Sequence, residues 1–189
     1  VWTSGQEYDY AQAAGDLYRN STVMACAAWI MRAFPEPPLG VVATETGTGE
    51  DNPVPKHPLT ELFKRPNDFY GSDCLWQRVV FDRSIHGQAY LYKERNGAGD
   101  VIALWHVPQH RLIPQWDASG RQFISHYLFM LEGQQQRIPV EDLVVFRFAG
   151  DPVRERNGLS TLGAGLREIA TLNAGANNRG AIRRTMGVR

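Results

Sequence analysis

Cysteine is scarce in this chain, with two residues, Cys26 and Cys74, among 189. They are too few for a disulfide framework or a cysteine zinc site. We expect both to be reduced and buried as packing residues, as in a cytosolic protein. Long apolar runs are missing as well. The longest, Val23 to Met31, has nine residues, against the roughly 20 that a bilayer crossing requires. Net charge is absent, since 20 Lys and Arg meet 20 Asp and Glu. With 43% hydrophobic residues, that balance excludes wholesale disorder. No secretory signal is visible, because the start is polar and acidic rather than basic and apolar. Internal repeats and low-complexity tracts are lacking too.

The length fits one domain, or one domain with an appendage. Folding at this size buries roughly 70% of the surface of the unfolded chain, so no staple is needed. Neutrality hides a polarity. Residues 1–60 carry three basic and seven acidic side chains, whereas residues 150–189 carry seven basic and three acidic. Arg179, Arg183, Arg184 and Arg189 follow Glu168 with no further acid. Such a basic end attracts nucleic acid, or, more commonly, compensates a helix dipole. The chain begins at Val1 without a methionine and stops at Arg189, and we expect a piece of a longer polypeptide.

Residues 1–19, rich in Gly, Gln, Tyr and Asp, are expected to form a loose arm. A helix follows, capped by Asn20 or Ser21, with Val23, Cys26, Ala27, Ile30 and Phe34 on one face. Pro35, Pro37 and Pro38 end it. Leu39 to Thr44 reads as a short strand and residues 45–56 as a polar surface loop. Pro58 to Lys64 is a short helix. Ser72 or Asp73 caps a longer one to His86, with Leu75, Trp76, Val79 and Val80 inward and Gly87 as its stop.

From Gln88 to Phe148 the period becomes two. The spacing predicts strands from Gln88, over Val101–Val107, Arg111–Trp116, Phe123–Leu131 and Leu143–Phe148, with turns at Asn96-Gly97, Asp117–Gly120 and Glu132–Gln135. Ser160 caps a final helix carrying Leu162, Leu166, Ile169 and Asn173. The fold class is therefore α+β, mostly an antiparallel sheet or meander flanked by helices, with a C-terminal helix. Residues 20–159 form the domain and 160–189 a helical segment leading onward.

No catalytic centre emerges. Gly158-Leu159-Ser160-Thr161-Leu162 lacks the second glycine of a nucleophile elbow, so Ser160 is read as a cap. Gly47-Thr48-Gly49 lacks the Lys-Ser/Thr of a phosphate loop. His106 and His110 have helical zinc-ligand spacing, but Pro108 separates them and no third ligand stands near. His86 reads as a helix C-terminal residue facing the dipole, and His57 and His126 as surface polar groups. Asn20-Ser21-Thr22 fits a glycosylation acceptor but is more simply a helix cap. Trp105, Trp116, Phe123, Tyr127 and Phe129 offer stacking surfaces for bases, yet their mixing with Ile, Leu and Val favours core packing. We expect no enzyme, no cofactor and no metal.

Six short segments follow one another in a distinctive order: Asn20-Ser21-Thr22-Val23, then His57-Pro58-Leu59 with Leu62 and Pro66-Asn67. Next come Gly87-Gln88-Ala89-Tyr90, Leu104 with Pro108, Glu141-Asp142-Leu143, and Gly158-Leu159-Ser160 with Leu162. That order resembles the N-terminal, wing portion of the portal proteins of tailed double-stranded-DNA bacteriophages, the family typical of siphovirus-type phages. The likeness spans roughly residues 20–175. Gln88, Val145 and Thr161 depart from the family's usual Asn, His and Pro, and the tail from Ala176 matches poorly.

The resemblance implies a non-enzymatic ring, usually dodecameric, at one capsid vertex of the virion, assembled in the host cytoplasm. Its implied partners are further copies of itself, the terminase large subunit, the major capsid protein, tail adaptor proteins and, non-specifically, double-stranded DNA. Arg179, Arg183 and Arg184 are candidate contacts to DNA or to the acidic 45–51 surface of a neighbouring subunit. The competing readings are an unrelated nucleic-acid-binding module and an enzyme with an unrecognised site.

Overall fold

The computed structural model describes residues 20–162, apart from 38, 47, 48, 118, 120, 153 and 154, and beyond them only 165, 169, 171 and 175. The arm 1–19 and most of the final helix, including Leu166 and Asn173, therefore lie outside the described residues.

Helix α1 spans Ser21–Ala33, and Asn20 is its cap, its side chain accepting from the backbone N–H groups of Thr22 and Val23. These are two of the four donors a helix start leaves unpaired. Strands β1 (Val42–Thr44) and β2 (Asp51–Pro53) form an exposed antiparallel hairpin. The loop expected over 45–56 thus contains a strand. Asp-Asn-Pro carries no apolar alternation, and the pairing rests on backbone bonds plus Thr44 donating to Asp51. Helix α2 (Pro58–Lys64) matches its expected bounds, with proline in the first turn, where its missing N–H is harmless.

Helix α3 spans Ser72–His86 and stops at Gly87, whose φ of 76° lies in the left-handed region. Its N-cap is Gly71, with no side-chain bond, rather than Ser72 or Asp73. Both of those already sit inside the first turn, where the Asp73 carboxylate complements the dipole.

Eight strands in three antiparallel sheets complete the described fold. β3 (Gln88–Arg95) pairs with β4 (Val101–Val107) on one side and β8 (Leu143–Arg147) on the other. Between β4 and β8 the chain builds a separate sheet from β5 (Leu112–Gln115), β6 (His126–Leu131) and β7 (Gln134–Pro139). The antiparallel α+β class holds, but the strands form two larger sheets rather than one running meander. Alternation marks a strand and not its partner. β7 begins where a turn was expected to continue. The hairpin uses only Glu132 and Gly133, at φ 49° and 82°, the positive pair that a tight two-residue turn requires.

β3 is the centre of the molecule. Ala89 and Leu91 face α3, in a core with Leu75, Trp76, Val79 and Leu104. Tyr90 faces the other way, against Val107, Leu112, Tyr127, Ile138 and Leu143 of the second core. A strand covered on both faces buries consecutive residues, and Gln88 to Leu91 are all buried.

Helix α1 behaves differently from its pattern. Of the expected inward face only Ala27 is fully buried; Ile30 and Phe34 are partly exposed and Cys26 is exposed. Cys74 is only partly covered, so neither cysteine is the buried packing residue expected. The helix lies outside α3 and presses a narrow stripe against it. Trp29, 69% exposed, joins Ile30, Phe34, Pro37 and Leu39 along an open apolar groove of about 440 Å³.

Candidate functional site: motif residues at the joints of the fold

The residues expected to carry the family likeness fall at three joints. The first joins α2 to the edge of β4. His57 caps α2, its Nδ1 accepting from the Leu59 N–H at 3.1 Å, and Leu62 packs against the first core. The Pro66 carbonyl then accepts from Leu104 N–H at 2.7 Å. Asn67 Nδ2 donates to the Leu104 carbonyl at 2.8 Å, while its Oδ1 accepts from the N–H groups of Phe69 and Tyr70. Tyr70 Oη accepts from His106 N–H at 2.8 Å. Three outward groups of an edge strand are thereby occupied, and an occupied edge cannot template another strand.

The second joint brings together residues about 70 positions apart. Gly87 and Gly158 lie backbone against backbone. A methyl built on Gly158 would stand 2.1 Å from the Gly87 carbonyl oxygen, and one on Gly87 would stand 2.2 Å from Leu159 carbonyl atoms. Gly158 N–H donates to Gln88 Oε1 at 2.8 Å, and Phe148 N–H donates to the Gly87 carbonyl. Ser160 Oγ donates to the carbonyl of Ile85 and accepts from Leu162 N–H at 3.2 Å. Ser160 is therefore a bolt between the end of α3 and the following segment, as well as a cap. A hydroxyl held this way and buried is not presented as a nucleophile. Ala89 and Tyr90 enter the sheet directly behind Gly87, and burial pushes the Tyr90 phenol well above its usual range.

The third joint is weaker. Arg95 Nε donates to Asp142 at 2.8 Å and Arg95 also reaches the Glu141 carbonyl and the Gly99 carbonyl. It ties the end of β3 to the turn ahead of β8. Part-exposed pairs of this kind contribute about 0–1 kcal/mol. Arg179, Arg183 and Arg184 lie outside the described residues.

Two further groupings had not been singled out as sites. Asp82, His86 and His106 form a buried polar cluster. Its signal was available: Asp82 and His86 stand three and seven residues after Val79, on the apolar face of α3. Arg156 is the other. Its guanidinium lies 4.3 Å from the Trp116 ring centre and 4.9 Å from that of Phe123, and its Nε donates to the Phe123 carbonyl. Trp116 and Phe123 are about half exposed, so they clamp an arginine on the surface instead of packing in the core. Tyr127 and Phe129 do pack in the second core, whereas Trp105 is only partly buried and lines an open cleft beside it.

Chemically these joints fasten one element of the fold to another. Among the described residues no group of three or more His, Cys, Asp and Glu is arranged to hold a metal ion. A cleft of about 300 Å³ is lined by Tyr92, Trp105, His106, Arg111, Phe129 and Gln136 among others, with no carboxylate in its wall. No described helix is long and apolar enough to cross a membrane.

Comparison with known proteins gives the same shape a context. The chain is similar in fold to a subunit in the neck of an empty GTA particle computed with C6 symmetry, at 18% identity and a TM-score of 0.76. The match covers 96% of this chain and 47% of that one. It is similar to a chain in the virion of the native gene transfer agent (GTA) particle, at 17% identity and TM-score 0.74, over 96% and 46%. A third match is to the neck of the native GTA particle computed with C12 symmetry, at 15% identity and TM-score 0.73, over 95% and 46%. The chain thus spans just under half the length of these structures' subunits. No curated protein matches it. The sequence model of the family described as phage portal protein matches residues 21–187, which takes in all three joints and Arg179, Arg183 and Arg184. The chain belongs to the phage portal protein family.

Proposed function

We propose that this chain is the wing-type part of a portal, a structural head-tail connector that closes into a ring, usually of twelve copies. The ring would stand at one capsid vertex and conduct double-stranded DNA during packaging and ejection. The observation that carries the reading is the family match over residues 21–187. Fold likeness to subunits of particle necks computed with C6 and C12 symmetry supports it. The arrangement of residues supports it as well, since the motif positions fasten elements together. In this reading the protein is not an enzyme and needs no cofactor. It sits in the virion, after assembly in the host cytoplasm with the terminase large subunit, major capsid protein and tail adaptors.

The division into an arm 1–19, a domain 20–159 and a segment 160–189 belongs to the same proposal. The Gly158–Ser160 joint is where the domain would hand over to the following helix. Arg179, Arg183 and Arg184 would meet DNA phosphates or the neighbouring subunit's acidic hairpin, where Glu45, Glu50 and Asp51 are exposed.

The test of this reading is the mass of the whole protein in solution, by native mass spectrometry. A dominant closed oligomer near twelve copies is expected, and a monomer at every concentration would count against it. Replacing Arg179, Arg183 and Arg184 together by alanine separates the two arginine roles. Loss of DNA retention, with the salt slope of log K reduced by about 0.9 for each arginine on a phosphate, assigns them to DNA. Loss of the oligomer assigns them to the subunit contact. Unchanged assembly and retention at low salt would remove them from both.

A further inference from the structure

We propose that Asp82, His86 and His106 form a proton-sensitive joint between α3 and the crossover into the second sheet, so that acidification loosens residues 106–115 before the rest of the fold. This rests on the geometry of the cluster and is independent of the portal reading.

The crossover is the turn Gln109–Arg111 linking β4 to β5. One carboxylate bonds it to α3. Asp82, on α3, accepts from His106 Nε2 at 2.9 Å and from Gln109 N–H at 3.3 Å. Asp82 is 6% exposed and His86, one helical turn further, 7%. His86 is poorly provided for. Its Nε2 stands 4.0 Å from the other Asp82 oxygen, beyond hydrogen-bond range, and its Nδ1 is buried with no partner.

A neutral imidazole tolerates this, because one ring nitrogen need not donate. An imidazolium carries a donor on both nitrogens, and here one would face no acceptor. The charged groups around His86 divide. Asp82, on the same helix, favours its proton. His110, on the crossover turn, opposes it. Among the described residues, the segment packed on the other side bonds the end of α3 through hydroxyls, Ser160 to the Ile85 carbonyl and Thr161 to the Ser84 carbonyl. Desolvation outweighs Asp82, and the His86 pKa lies below its ordinary value of 6.5.

The sign follows directly. The closed form binds fewer protons than an opened one, so closure is fully favoured above about pH 6.5 and weakens as pH falls below it. Two responses relieve a proton on His86. Asp82 can turn toward it and release the crossover, or the turn bearing His110 can lift and admit water. Both act first on the turn Gln109–Arg111, the link between β4 and β5.

Hydrogen exchange on the whole protein between pH 8 and pH 5, corrected for intrinsic rates, tests this. Protection over 106–115 should fall by up to about tenfold per pH unit below 6.5, the limit for one proton, while the β3–β8 ladder stays protected. His86→Gln should flatten that response. Uniform loss across all strands, or the same local response in H86Q, would overturn the joint. If H86Q does not fold, NMR titration of the wild-type imidazoles decides. His86 should gain its proton in step with the loss of protection over 106–115, and protonation with that segment still protected would overturn the proposal.

Discussion

Replacing Gly158 by alanine is expected to cost about 3–5 kcal/mol, at the upper end of what overpacking and a lost buried hydrogen bond produce together. The atoms in the way are the carbonyl oxygen and carbon of Gly87, 2.1 and 2.6 Å from the added methyl. They are backbone, fixed by the end of α3 and by Phe148 N–H bonding to that same oxygen. No rotamer change can relieve them. Relief needs the two segments to part, which also breaks the bond from Gly158 N–H to Gln88. Gly87→Ala should be at least as severe, because it adds the strain of a side chain at φ 76° to a 2.2 Å approach on Leu159. Domains are stable by about 5–15 kcal/mol, so either change removes a large share. Urea unfolding checks this, with Gly97→Ala as control. A methyl at Gly97 meets nothing within 4 Å, and that variant should stay within about 0.5 kcal/mol of the parent. Equal stability of all three would mean that the glycine contact is not a joint at all.

Asn67→Ala is the second large effect, expected at about 2–4 kcal/mol because a buried acceptor and two backbone donors lose their partner together. The buried Leu104 carbonyl loses its donor, and Phe69 and Tyr70 lose their acceptor. Asn67→Asp is the sharper comparison. It keeps the acceptor for Phe69 and Tyr70 but sets a carboxylate oxygen against the Leu104 carbonyl. Its deficit should match that of alanine at neutral pH and shrink under acid, where the carboxyl regains a proton to donate. A deficit independent of pH would mean that the Leu104 bond is not what Asn67 contributes.

These two sites show how much of the molecule was legible in the sequence. The helices were, because their signals are local: Asn20 as a cap, proline at the start of α2, Gly87 as a stop. The strands from Val101 to Val107 and Leu143 to Arg147 were too, since alternation survives in their residues. The strands Asp51–Pro53 and Gln134–Pro139, exposed apart from Ile138, carry no such alternation, and their pairing is decided by backbone geometry. The helix face containing Cys26, Ile30 and Phe34 has the right spacing for a core, yet spacing does not say how deep a helix sits.

The glycines make the same point for the site. Gly87 had a sufficient local reason, a helix stop, and Gly158 stood only in the short motif before the cap Ser160. Their shared reason is a contact across the chain, and no local pattern encodes it. Asp82 and His86 could have been found, as polar residues on an otherwise apolar helical face. His106, which completes their cluster, comes from another element.

The most direct test of the central claim is negative-stain microscopy of the whole protein, counting subunits in end-on views. Closed rings with a central hole, of one size and near twelvefold, are the expected result. Uniform monomers or small dimers across concentration and salt, with the other head proteins supplied, would contradict the portal ring.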